Sequence, residues 1–199
     1  MEERCRPSKP VGSRKYLEVI YKLYPPSKHI SEYAIAIDVA KRYDCRSVLD
    51  VGCGAGNLFK VLADAIPIER YVGIDVLDIF NVRDLRVTFV RGDARCPPSW
   101  LLEQRFDCVF FVNSLFYISV DVLEIYGELG RYLMVIDIDP RIRYLHIYLA
   151  NLLEGGIRTT SMELEETVRR MGFKVVEKRS GMTYCFVLTR TDVALNQAP

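Results

Sequence analysis

The apolar positions of this chain alternate between short β-friendly runs and stretches of helical period. Ile30, Tyr33, Ala34, Ile37 and Lys41 recur at helical spacing, Ser27 precedes them as a cap, and Lys41 and Arg42 sit where a helix dipole favours cations. This predicts a helix over 28–42. A strand, Ser47 to Val51, follows. Leu58, Val61, Leu62 and Ala65 predict a second helix, stopped at Pro67. Further strands are expected at Tyr71–Asp75, Val87–Arg91, Phe106–Val112 and Tyr132–Ile138. The third of these is nearly all apolar, as a strand buried on both faces should be. Between the last two, Val122, Ile125, Tyr126 and Leu129 mark a helix with Ser119 as its cap.

Beyond Ile138, the residues Ile142, Leu145, Leu149 and Leu152 predict a helix broken at Gly155-Gly156. Thr160 and Glu163 have capping-box spacing for a final helix carrying Leu164, Val168 and Met171, with Gly172 at its stop. Phe173–Lys178 and Thr183–Thr189 flank a short turn at Ser180-Gly181, so they should pair antiparallel. Five βα units followed by a hairpin predict one doubly wound α/β sheet. Upstream, Met1 to about Arg14 lacks periodicity and is locally basic. Tyr16–Tyr24 predicts a short helix ended by Pro25-Pro26. The expected organisation is an arm with a short helix over 1–26, one domain over 27–190, and a tail over 191–199.

Candidate chemistry concentrates where the first strand ends. Val48-Leu49-Asp50-Val51 runs into Gly52-Cys53-Gly54-Ala55-Gly56, and the helical pattern begins at Asn57-Leu58. Glycines let the main chain turn sharply and let a ligand lie directly on it. A dinucleotide fingerprint is G-x-G-x-x-G, which seats a pyrophosphate on the helix N-terminus. Here the spacing is G-x-G-x-G, Asn57 stands where the third glycine would fall, and Asp50 stands at the mouth. A carboxylate there repels a pyrophosphate and suits a cationic ligand. S-adenosylmethionine, with a sulfonium and an ammonium, fits that chemistry better than NAD. Asp75 ends the second strand about twenty residues on, where an acceptor for two ribose hydroxyls belongs. Gly92-Asp93-Ala94 closes the third strand, with a carboxylate able to accept from an adenine amino group.

Composition narrows the classes. The 199 residues suit one domain with a core of its own, half of them are hydrophobic, and the net charge is +1. That balance gives no strong nucleic-acid signature and no case for an anionic membrane surface. No uninterrupted apolar run approaches a bilayer span, and the charged start is not a signal peptide, so a cytoplasmic protein is expected. Six scattered cysteines, with no C-x-x-C pair and no histidine nearby, argue against a metal site. They are expected to be thiols. Arginine outnumbers lysine and glutamine is scarce, a pattern of some heat-adapted chains that leaves an internal disulfide open.

Taken in order, Asp50-x-Gly52-x-Gly54-x-Gly56, Asp75, Gly92-Asp93-Ala94, the strand Asp107–Val112 leading to Asn113, and the terminal helix-strand-hairpin resemble the class I S-adenosylmethionine-dependent methyltransferases, of the type 11/12-like kind. The resemblance spans roughly Ser47 to Arg190. It implies a Rossmann-like, mostly parallel seven-stranded sheet whose last strand is inserted antiparallel beside the sixth. It further implies that Asp50, Gly52, Cys53, Gly54 and Gly56 hold the methionine part of S-adenosylmethionine. Asp75, with Val76 beside it, would take the ribose, Asp93 and Ala94 the adenine, and Asn113 would line the methyl-transfer mouth. The product would be S-adenosylhomocysteine.

The acceptor is less legible, whether small molecule, RNA or protein. Asn113-Ser114-Leu115-Phe116 is not the Asn/Asp-Pro-Pro-aromatic signature of methylation at adenine N6 or glutamine amides. No Pro-Cys nucleophile follows that strand, which argues against covalent attack on cytosine. Pro140 to Thr160 is an insertion expected to border the acceptor, with Arg141, Arg143 and Arg158 as candidates for an anionic one. His29 and His146 are the only histidines; His29 lies before the domain, while His146, after the fifth strand, either packs beside Ile142 and Leu149 or serves as a base. Tyr117, Tyr144 and Tyr148 could line a pocket or simply pack. A monomer or homodimer is expected. The competing readings are a binding or cofactor-free partner subunit without turnover, an aminopropyltransferase-like enzyme, and last an NAD enzyme.

Overall fold

The computed structural model describes residues 30–139 and 160–190. The expected arm and short helix, the 140–159 insertion with its arginines, tyrosines and His146, and the tail lie outside the described residues. Strands β1 (Ser47–Val51), β2 (Arg70–Asp75), β3 (Val87–Arg91), β4 (Phe106–Val112), β5 (Gly130–Ile138), β6 (Phe173–Arg179) and β7 (Thr183–Arg190) form one sheet. Its order is β3-β2-β1-β4-β5-β7-β6. The pairs among β1 to β5 are parallel, and β7 runs antiparallel to both neighbours. This is the expected α/β doubly wound, seven-stranded sheet with an antiparallel last strand. The order reverses between β1 and β4, so the switch point lies where the glycine turn leaves β1.

Helices cover both faces. On one lie α1 (Ile30–Arg42) and α2 (Asn57–Ala65), over Val48, Tyr71, Phe110, Met134 and Val187. The other carries Leu49, Ile74, Phe111, Val135 and Phe186 against the helical residues Leu123, Tyr126, Leu164 and Val168. Adjacent strand residues thus enter different cores, which is why β4 reads as an unbroken apolar run. The helices supplying the second face are α5 (Val122–Tyr126) and α6 (Ser161–Arg170), while α3 (Ser99–Leu102) and α4 (Leu115–Ile118) are single turns in the loops. Among the described residues no helix is long and apolar enough to cross a membrane.

Two expectations change. The buried face of α1 is Glu32, Ala36, Val39 and Ala40, whereas Ile30 is 72% exposed. Small side chains let the helix backbone approach the sheet closely, and the larger Tyr33 and Ile37 pack at the margin. Ser119 does not cap α5. It follows α4 with φ 124, and its hydroxyl meets Asp121, the residue at the N-cap of α5. The capping box on α6 is present in both directions, Glu163 N–H to Thr160 at 3.2 Å and Thr160 N–H to Glu163 at 2.8 Å.

Cys45 and Cys108 form a disulfide, with Cα atoms 5.5 Å apart and a sequence separation of 63. The expectation of thiols is therefore corrected for this pair, while Cys53 and Cys185 are buried outside any disulfide. The cause is register: Val48 pairs with Cys108 across β1 and β4, which brings the start of β1 onto that cysteine.

Candidate functional site

The acids and glycines singled out above gather at the C-terminal edge of β1, β2, β3 and β4. As β1 ends, the N–H groups of Gly52 and Cys53 donate to the Ile74 carbonyl at 2.8 and 3.3 Å, hooking the turn onto β2. Gly52, Gly54 and Gly56 have φ of 79, 52 and 77, a region that side-chain-bearing residues rarely enter. Two of them answer to the protein's own packing. A Cβ on Gly52 would lie 2.4 Å from the Cβ of Ser114, and one on Gly56 would lie 2.6 Å from both Phe80 and Val82. Those glycines let neighbouring loops close on the turn, a role beyond clearing space for a ligand.

Asp75 clamps this turn. One carboxylate oxygen accepts the Gly54 N–H at 2.8 Å, and the other accepts the Leu77 N–H at 2.8 Å. Burial raises its pKa, opposed by the N–H groups of Leu77, Gly54 and Val76. Each oxygen keeps a second lone pair, so a pair of ribose hydroxyls can still be accepted. Asp75→Asn should unfold at a temperature several degrees below wild type. A carboxamide has one acceptor atom, so either Gly54 or Leu77 would face an NH2, a loss of about 1–3 kcal/mol. Differential scanning calorimetry checks this without any ligand, and an unchanged midpoint would remove the clamp.

Asp50 lies deeper, 3% exposed, and accepts a hydrogen bond from the Tyr71 hydroxyl. Burial pushes its pKa up to about 7; Tyr71 opposes this and the charge of Asp75 adds to it. Cys53 is buried between these acids. Burial, then the charges of Asp50 and Asp75, push its thiol far above its ordinary value, so it is not a nucleophile. Its sulfur sits where a Cβ on Gly73 would be, at 2.7 Å. Val76, 39% exposed, presents an apolar surface beside Asp75.

The other expected residues are placed nearby but are engaged. Asp93 receives the Arg95 guanidinium, at 2.5 Å to one oxygen and 2.9 Å to the other, and the Arg95 backbone N–H at 2.9 Å. Burial alone would raise its pKa, and Arg95 holds it below the usual value. Ala94 is buried, and its carbonyl accepts from the Tyr126 hydroxyl at 2.9 Å. Asn113, with φ 52, donates its N–H to the Ile136 carbonyl at 2.9 Å. Next to it the Ser114 hydroxyl donates to the Val51 carbonyl at 2.5 Å, tying the loop after β4 to the glycine turn.

Tyr71, Ser114, Arg95 and Tyr126 were not read from the sequence as members of this edge. Tyr71 left one signal, a hydroxyl in an otherwise aliphatic strand, which needs a partner when buried. Neither Asp50 nor Asp75 has a Lys or Arg partner among the described residues, where no cluster of three or more metal-ligating side chains occurs either. A buried acid and a half-buried one, with no Lys or Arg partner among the described residues, suit a cation-bearing ligand and oppose a pyrophosphate.

Residues 48–134 match the family model of the methyltransferase domain. A comparison with curated proteins gives no match. Among solved structures, a complex between a Haloferax volcanii methyltransferase activator and a methyltransferase is similar with a TM-score of 0.70 and 16% identity, covering 87% of this chain and 95% of that one. An O-methyltransferase family protein from Burkholderia thailandensis gives 0.66 and 16%, over 96% and 67%. Magnesium protoporphyrin IX methyltransferase from Synechocystis, with bound S-adenosylhomocysteine, gives 0.60 and 15%, over 89% and 94%. At these identities the likeness establishes the fold.

Proposed function

We propose, for a chain whose residues 48–134 carry a methyltransferase domain of the class I S-adenosylmethionine-dependent type, that the protein transfers a methyl group from S-adenosylmethionine to an acceptor. The observation that supports this best is the clamped turn, in which the half-buried Asp75 grips Gly54 while the buried Asp50 ends the strand that leads into it. Asp50 and the turn Gly52, Cys53, Gly54 and Gly56 would hold the methionine end. Asp75 would accept from the ribose, with Val76 packing alongside, and Asp93 and Ala94 would border the adenine. Asn113 would stand at the mouth facing the acceptor.

When bound, S-adenosylmethionine supplies an electrophilic methyl on a sulfonium. The chain's own contribution would be alignment for in-line displacement and exclusion of water, which can carry much of the rate when the acceptor is already a free nucleophile. The acceptor remains small molecule, RNA or protein. Its site would involve the segment after β5, where the sequence places the 140–160 insertion.

Calorimetric titration of the purified full chain with S-adenosylmethionine and S-adenosylhomocysteine tests the reading. Micromolar binding is expected. Asp75→Ala should weaken it at least about tenfold, through loss of charge-assisted hydrogen bonds to the ribose. Equal affinity in the variant would take Asp75 out of the site. Folded protein that binds neither ligand would favour a partner subunit without turnover.

A further inference from the structure

The hydroxyl of Tyr71 and the carboxylate of Asp50 form a pair that the chemistry of methyl transfer does not require. Both side chains are buried, Tyr71 at 0% and Asp50 at 3% exposure. In the parallel register Asp50 lies opposite Gly73, and Tyr71 lies opposite Val48. Tyr71 therefore reaches Asp50 diagonally across two strands, on the α1–α2 face, with its ring edge-on to Phe59 at 5.2 Å. The absent side chain of Gly73 leaves room beside this pair for the Cys53 sulfur, which lies 2.7 Å from where a Cβ would stand.

Among the described residues, the groups around Asp50 offer no positive charge. Strand β2 contributes Tyr71 and Asp75, the glycine turn contributes Cys53, and β4 contributes Phe110 and the disulfide-bonded Cys108. Helix α1, whose buried face includes Glu32, brings Tyr33 within electrostatic reach of Tyr71, and α2 brings the apolar Phe59. A carboxylate in such a place, held by one neutral donor, is better tolerated protonated until a cation arrives. Opposing pressures on Asp50 leave it near half-ionised at pH 7, while burial keeps Tyr71 a neutral donor at every pH of interest.

We propose that Tyr71 is a positioning residue that holds Asp50 toward the glycine turn, and that cofactor capture is coupled to release of a proton from this pair. The inference rests on the cofactor reading above. When the cationic methionine end docks, Asp50 ionises and its proton passes to the buffer. The Tyr71 hydroxyl, already aimed at the carboxylate, stabilises the new charge without rearrangement.

The test is titration of the full chain with S-adenosylhomocysteine across pH, in two buffers of different ionisation enthalpy. For wild type, affinity should rise on the order of tenfold between about pH 6 and pH 7.5, with proton release at the lower end. Tyr71→Phe removes the donor that favours ionised Asp50, so its rise should move to higher pH. It should bind several-fold more weakly at neutral pH and recover in alkaline buffer. Asp50→Asn should lose the pH response altogether. The ligand's α-amino group is the same against all three proteins, so differences between them isolate Asp50. Equal pH profiles in wild type and Asp50→Asn would overturn the proposal. So would a Tyr71→Phe variant weakened equally at every pH, which marks a merely structural tyrosine. Wild type that binds at no pH would overturn the cofactor reading and this inference with it. Binding without pH response would overturn this inference alone.

Discussion

Gly52→Ala should unfold at markedly lower denaturant than wild type, with a stability loss of about 3 kcal/mol, and should fail to bind S-adenosylhomocysteine. Two costs combine. A residue with a Cβ at φ 79 carries about 1–2 kcal/mol of left-handed strain. The added methyl also meets the Ser114 Cβ at 2.4 Å and its hydroxyl at 3.1 Å. Ser114 cannot swing away cheaply, because its hydroxyl is bonded to the Val51 carbonyl in a buried position. Overpacking of that kind adds roughly 1–3 kcal/mol. Urea unfolding measures the sum. Adding Ser114→Gly should restore part of the loss, since it relieves the overlap and leaves the strain. A single variant within a few tenths of a kcal/mol of wild type would show that the turn relaxes freely.

Reduction of the Cys45–Cys108 bridge should be the largest perturbation short of disrupting the core. The bond closes a loop of 63 residues, for which the chain-entropy estimate is about 4 kcal/mol. For a chain of this size that corresponds to a fall in midpoint of roughly 8–16 °C. Cys45→Ala/Cys108→Ala should match the reduced wild type, because both positions are fully buried and alanine leaves no unpaired polar atom. Thiol titration under denaturing conditions, before and after reductant, counts the bridge directly. If reductant leaves the midpoint unchanged while the thiol count rises by two, the bond closes a loop already compact in the unfolded chain.

Asp50 sets a third expectation, with an unusual sign. Its folded-state pKa is raised by burial to about 7, from an ordinary value of 3.8. The stability it contributes is full below that ordinary value and is lost as pH rises through about 7, because the folded state is the one that holds the proton. Ligand-free Asp50→Asn should therefore be more stable than wild type at pH 8, with the gap closing toward pH 4. Thermal melts at the two pH values decide it; a variant less stable at pH 8 would refute the burial argument.

Local patterns carried most of the fold. The strand ends Val51, Asp75, Arg91, Val112 and Ile138 stand where the alternation and apolar runs placed them, because each closes on a turn or a polar side chain. The glycine turn and Asp75 were legible for the same reason. What escaped was whatever depends on register between distant segments. The bond from Tyr71 to Asp50 spans 21 residues, that from Ser114 to Val51 spans 63, and the Cys45–Cys108 bridge appears only once β1 lies beside β4. Hydrophobicity alone points to Ile30 and Ile37 as the face of α1, whereas close approach to a sheet selects Ala36, Val39 and Ala40.

The place of β7 has a bearing on how the molecule is made. This strand lies between β5 and β6, and five of its residues, Tyr184 to Leu188, are buried. Until it has left the ribosome, β5 is an open edge with Leu133, Met134, Val135 and Ile136 in sequence and no partner on that side. The preceding strands, already synthesised, would wait with that edge exposed for a strand encoded some fifty residues later. Expression at low temperature or with a holding chaperone should raise the soluble yield, since both shield that edge until β7 arrives.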